Sequence, residues 1–136
     1  MSDQNVEVVR QGVEAMNRRD PDAFLACLHP DVEWEESGDV LPGLRGVYRG
    51  RAEMRRWFEE ALLDVWEHFQ IEIEEITDAT DDRVFLALRF AARGSGSGAE
   101  AELHIWPVLW FADGKIARRQ GFWSRAEALE AAGLSE

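Results

Sequence analysis

Glu36 is the acid whose setting could do chemistry. Val32, Trp34 and Glu36 alternate with Glu33 and Glu35. In a strand, that spacing puts the first three on one face and the other two on the opposite face. Val32 and Trp34 belong in a core, so Glu36 is carried toward apolar surroundings while Glu33 and Glu35 face water. A carboxyl group held out of water grips its proton more tightly and can shuttle it near neutral pH. The plainer reading leaves Glu36 solvated at a frayed strand end. His104 is the reserve acid–base candidate, the imidazole being the side chain that titrates nearest neutrality.

The remaining reactive types point less clearly. His29 precedes Pro30 in a turn and His68 begins a strand; neither has a metal partner at ligand spacing, so no metal site is expected. Cys27 stands beside Leu28 without a basic neighbour and reads as a small core residue. Arg45, Arg49, Arg51, Arg55 and Arg56 cluster locally. They suit a phosphate or carboxylate ligand, or they balance Glu59 to Asp82, a stretch with ten acids and no lysine or arginine. No glycine-rich phosphate loop, nucleophile elbow or dinucleotide fingerprint occurs, so no cofactor is expected.

These residues sit in a chain of 136, which suits one domain over 1–136. Apolar residues make up 46%, enough for a full core. The net charge of −12 repels phosphate backbones and anionic lipid, which argues against nucleic acid and membrane as partners. No apolar run nears the roughly 20 residues that span a bilayer. No signal peptide is readable, and one cysteine suits a reducing cytoplasm, the expected location. Six tryptophans suggest a wide core, a cavity or a partner surface.

The periodicity supplies the elements. Val6, Val9, Val13 and Met16 predict a helix over 4–18. Asp20 before Pro21 predicts the start of a second helix over 21–28, ended by His29-Pro30-Asp31. The alternation at 32–36 predicts a strand, followed by a glycine- and proline-rich loop over 37–50. Met54, Trp57, Phe58, Ala61, Leu62 and Val65 predict a third helix. From Phe69 the period becomes two, and strands follow over 83–93, 100–111 and 115–123. Gly94 to Gly98 and Asp113-Gly114 read as hairpin loops. Ser124 with Glu127 makes a capping box for a last helix, which Gly133 closes. Helices first and a strand meander later place the chain in the α+β class. Proline in a central strand removes a ladder donor, so Pro107 predicts a bulge or an unpaired site.

This pattern resembles the nuclear transport factor 2-like (NTF2-like) superfamily, and its SnoaL-like branch more closely. The resemblance rests on the helical pair, the short strand, the Tyr48-Arg49-Gly50 lead into the third helix, the long strands with Asp113-Gly114-Lys115-Ile116, and the ending Arg125 to Leu134. It covers nearly the whole chain and is specific for fold, not for activity. It implies a cone: a curved, mostly antiparallel sheet wrapped around three helices, plus a short C-terminal helix, with an apolar pocket at the wide end. In the ketosteroid isomerase branch the catalytic base lies at the place Glu36 occupies. That branch's oxygen-stabilising tyrosine and aspartic acid would fall at Gly12 and Pro107, which donate no side-chain hydrogen bond.

The family register turns Arg119, Gly121 and Trp123 inward. Arg119 would then orient an enolate or carboxylate, or pair with Glu36; otherwise it reaches water at the sheet edge. Trp34, Glu36, Trp57, Phe58, Arg119 and Trp123 are expected to line one cavity, with Tyr48 at its mouth. Trp57 and Phe58 are also at core spacing. If Pro107 faces inward, so do Leu103, Ile105, Leu109 and Phe111, while His104, Trp106, Val108 and Trp110 face outward. The family pairs through that outer face, so a homodimer is expected. The inverted sheet would instead send His104 into the cavity. Two functions follow: a cofactor-independent isomerase, cyclase or dehydratase acting on a small hydrophobic ligand, or a non-catalytic binder of such a ligand.

Overall fold

The computed structural model describes residues 2–36, 46–79 and 81–134. Most of the expected loop over 37–50, including Arg45 of the arginine cluster, lies outside them. The order is α1 (Ser2–Asn17), α2 (Pro21–Leu25), β1 (Leu28–Glu36), β2 (Gly46–Arg49) and α3 (Gly50–Trp57), which runs into a π-helical segment, Phe58–Leu63. Then come β3 (Trp66–Ala79), β4 (Arg83–Gly94), β5 (Glu100–Ala112), β6 (Lys115–Phe122) and α4 (Arg125–Ala132).

Local chemistry starts and stops these elements where the sequence signals stand. Asp20 caps α2 by accepting the Ala23 N–H at 3.1 Å, and Pro21 opens the helix. Ser124 accepts the Glu127 N–H at 3.1 Å, and Gly133 ends α4 in the left-handed conformation at φ +78°. Asp113 and Gly114 both take positive φ, as a two-residue hairpin turn requires. Three details differ. The second helix ends earlier than expected, and His29-Pro30-Asp31 lie inside β1, where the pairing with β6 is irregular between Leu28 and Glu33. An irregular stretch tolerates a proline that has no N–H to give. β2 falls in the expected loop; four residues are too few to show alternation. The third helix changes to π geometry after Trp57, with the Asp64 N–H reaching the Glu59 carbonyl at 2.9 Å. That wider turn breaks the 3.6 period, and Val65, expected on the buried face, is exposed.

The expected cone is not what forms. The six strands make one open mixed sheet in the order β2-β1-β6-β5-β4-β3, with β2 and β3 as unjoined edges. A closed wall would need those edges to pair, and among the described residues they do not. The sheet therefore buries its two faces separately instead of wrapping the helices. On the inner face, α1, α2 and α3 cover the main core, which includes Phe24, Trp34, Met54, Phe58 and Phe90. On the outer face, α4 lays Ala128, Leu129 and Ala132 over Phe85 and Val108. β1 runs parallel to β6, and the other neighbouring strands are antiparallel. Pro107 carries no bulge, but the unpaired site expected as the alternative is there: the β4–β5 pairing sets Phe85 opposite Val108, skips Pro107 and Trp106, and resumes with Leu88 opposite Ile105 in the same register. The register shift on β5 falls at Trp110/Phe111, against β6.

Candidate active site

Strand register assembles the site. Trp34 on β1 stands opposite Tyr48 on β2 and Arg119 on β6, and Arg119 stands opposite Leu109 on β5. Directly opposed residues share a sheet face, so one inner row reads Tyr48, Trp34, Arg119, Leu109. Glu36, two residues beyond Trp34, emerges on the same face.

Glu36 and Arg119 are both buried, at 6% exposure each. Arg119 Nη1 lies 3.3 Å from Glu36 Oε2 and donates to the Glu35 carbonyl at 2.9 Å. Trp34 Nε1 donates to Glu36 Oε1 at 2.9 Å. The guanidinium also lies over the Trp34 ring, 5.1 Å from its centroid. Each carboxylate oxygen therefore has a partner, and each charge is compensated. Removing one member of such a buried pair typically costs about 3–5 kcal/mol, because the other is left stranded. Tyr48 feels this site. Burial pushes its phenol above the ordinary range, and the Glu36 charge pushes the same way, partly offset by Arg56.

The pair borders a cavity of about 80 Å³ between the helices and the inner face of the sheet. Gly12 and Met16 of α1, Phe24 of α2, Trp57 of α3 and Pro107 of β5 are among its walls, and among the described residues the rest of the lining is apolar except Glu36 and Arg119. Trp34 and Trp57 meet with centroids 5.1 Å apart. Among the described residues, the buried Trp57 Nε1 has no hydrogen-bond partner.

The structure brings Trp34, Glu36, Trp57 and Arg119 together at this cavity and leaves other expected members outside it. Phe58 is fully buried against Phe24, ring centroids 5.2 Å apart, so it packs on a lining residue without lining the cavity itself. Trp123 is 48% exposed. β6 ends at Phe122, and the chain bends before α4, so the strand alternation that would aim Trp123 inward has ended. His104 stands on the outer face, 3.2 Å from Glu74 and 3.7 Å from Glu102, away from the cavity. The orientation of β5 decides this, since Ile105, Pro107 and Leu109 are the residues facing inward. Cys27 is buried, and burial raises its thiol pKa, with Lys115 opposing. Among the described residues, no group of three metal-ligating side chains gathers, and no helix is long and apolar enough to cross a membrane. Sequence reading could not find the unpaired Trp57 N–H or the Glu35 carbonyl under Arg119, because neither has a signature in residue type.

The model of the SnoaL-like domain matches residues 9–119. The chain belongs to the SnoaL-like family of the NTF2-like superfamily. It is similar to an NTF2-like protein of unknown function from Burkholderia pseudomallei, with 26% identity, 97% of this chain and 98% of that chain covered, and a TM-score of 0.78. TerC, co-crystallised with polyporic acid, is 24% identical over 95% of this chain and 97% of its own, with a TM-score of 0.76. SalBIII, an epoxide hydrolase/cyclase-like enzyme in pyran ring formation in the polyether salinomycin, is 22% identical over 93% and 96%, with a TM-score of 0.75. At that identity the likeness shows that this SnoaL-like chain shares a fold with such enzymes, and no more. No curated protein sequence matches the chain.

Proposed function

We propose that this SnoaL-like protein is a cofactor-independent proton-transfer enzyme acting on a small, largely apolar, oxygenated molecule. The observation that carries the reading is a carboxylate, Glu36, at the edge of an apolar cavity with a guanidinium 3.3 Å away. Glu36 takes a proton from carbon next to a carbonyl and becomes a carboxylic acid, while the substrate becomes an enolate. The proton then returns to the same or another carbon. Arg119 supports this by keeping positive charge beside the anion as it passes from Glu36 to the substrate. Isomerase, cyclase and dehydratase chemistry all begin with such a step.

The second reading is a non-catalytic binder of the same ligand. It is favoured by the saturation of Glu36, whose two oxygens already face Trp34 Nε1 and Arg119. Deuterium wash-in separates the two. Cyclopentanone in heavy water should exchange its α-protons faster with the protein than without it. Glu36→Gln should lower that rate by a factor of about 10² or more, the usual contribution of a positioned base. Equal rates in the two proteins would reject the catalytic reading.

We further propose that the protein is a homodimer, formed through the aromatic groups of the outer sheet face that α4 leaves half-buried.

A further inference from the structure

We infer that Asn17 and Arg19 serve as a surrogate strand on the free edge of β3, and that they keep a second copy of this chain from adding its own β3 there. The inference does not depend on what the cavity binds.

An edge strand presents unpaired N–H and C=O groups, a ready template for another strand. β3 is such an edge, 14 residues long, with β4 as its one neighbour in the sheet among the described residues. Ile71 stands opposite Phe90 of β4, yet both of its backbone groups are taken by a side chain. Its N–H donates to Asn17 Oδ1 at 2.7 Å, and its C=O accepts from Asn17 Nδ2 at 2.9 Å. An asparagine amide carries a donor and an acceptor side by side, as a peptide group does. Asn17 therefore makes the two bonds that the facing residue of a neighbouring antiparallel strand would make.

Arg19 extends the cover toward the start of the strand. Its Nη2 donates to the carbonyls of Trp66 at 3.1 Å and Leu63 at 3.3 Å, and its guanidinium lies 5.0 Å from the Phe69 ring centroid. Arg19 holds φ +59° just past the end of α1, where the Asp20 N–H reaches the Ala15 carbonyl at 3.0 Å. That left-handed position ordinarily favours glycine. Glycine would close the helix as well, but would leave both carbonyls without this donor.

The cover falls where the edge is most regular. A slip in pairing breaks an edge, and β3 slips against β4 at Trp66/His68 and again at Ile73/Glu75. The longer regular run that is left is 68–73, and Ile71 lies inside it. Two copies would meet there antiparallel about a two-fold axis. Their exposed Glu72 and Glu74 would then crowd together, a lesser barrier that salt screens.

The test uses the Trp106→Glu chain, in which the proposed outer-face contact is lost, in about 0.5 M salt to screen those acids. Adding Asn17→Ala should double the mass in sedimentation equilibrium and keep the circular dichroism. On nitrogen-15-labelled protein at low concentration, the Ile71 N–H should exchange with deuterium about three- to tenfold faster in the variant, the usual net worth of one neutral hydrogen bond. It should slow again as the variant associates. Arg18→Ala, which removes an exposed neighbour whose partner is Glu14, should change neither reading. A mass that does not rise while Ile71 exchanges fast overturns the inference, because the bare edge then recruits nothing. So does association that leaves Ile71 fast, or an Ile71 exchange rate that Asn17→Ala does not change. Loss of the native circular dichroism would overturn it too, by making Asn17 an anchor that α1 needs to fold.

Discussion

Tyr48 stands opposite Trp34 across the β1–β2 pair, with the Glu36 carboxylate within electrostatic reach. It is the chain's single tyrosine, so ultraviolet titration of tyrosinate reads it alone. Burial is the larger cause of its raised pKa and the Glu36 charge the next. The native midpoint should therefore lie above the ordinary value near 10. In Glu36→Gln it should fall but stay above that value, because burial persists. The linkage sign follows: the folded chain holds this proton to higher pH than the unfolded chain. That contribution to stability is full below about pH 10 and is lost as pH rises through the folded midpoint. A midpoint unchanged by Glu36→Gln would separate the two residues. At this scale the sequence was informative wherever strand parity applied. Val32, Trp34 and Glu36 share a face because side chains alternate, and the same rule sends His104 outward once Pro107 is inside. Parity failed at Trp123, where the strand had already ended.

α4 shows how much one short element can rest on its ends. Its eight residues are too few for a stable helix in isolation, so capping and packing must hold it. Ser124 Oγ accepts the Glu127 N–H, and Arg83 Nη1 donates to the Ala131 carbonyl near the other end. A Cβ at Gly133 would stand 3.0 Å from Arg83 Nη2, so this left-handed position is crowded as well as strained for other residues. Ser124→Ala should lower unfolding free energy by about 1 kcal/mol in urea melts, the usual value of such a cap. No change in midpoint would mean that packing against Phe85 and Val108 holds the helix without the cap. The capping box, the Asp20-Pro21 start and the Asp113-Gly114 turn were legible because each is a local contract between neighbouring residues. The π segment and β2 were not. A π-turn looks like an α-helix in its apolar spacing until the period slips at Val65, and β2 exists only because β1 lies beside it.

At the scale of the whole molecule, the sheet's two faces divide the work. The inner face holds the cavity and the outer face meets α4, an arrangement open at both sheet edges. Sequence alternation marked Trp106, Val108 and Trp110 as one outer apolar strip, but could not show that the chain's own last helix lies on it. α4 fully buries Phe85 and Val108. Trp106, Trp110 and Phe122 remain half-buried beside it, and the Arg118 guanidinium sits 4.5 Å from the Trp110 ring centroid. Farther along the face the surface turns charged, with Arg89 bridging Glu72 and Glu102. The proposed dimer must therefore use a narrower apolar contact than the whole strip, bordered by groups of both signs. Aromatic groups and arginines are favoured at such contacts, and a two-fold axis would let each patch meet its own copy. Sedimentation equilibrium at micromolar concentration should give twice the 15.5 kDa chain mass for the native protein. Trp106→Glu should give a single folded chain, because a charge at a closed aromatic contact has no partner there. Its circular dichroism should match the native protein's, which separates a lost interface from a lost fold. A native protein of single-chain mass would reject the dimer and leave α4 as the outer face's own cover.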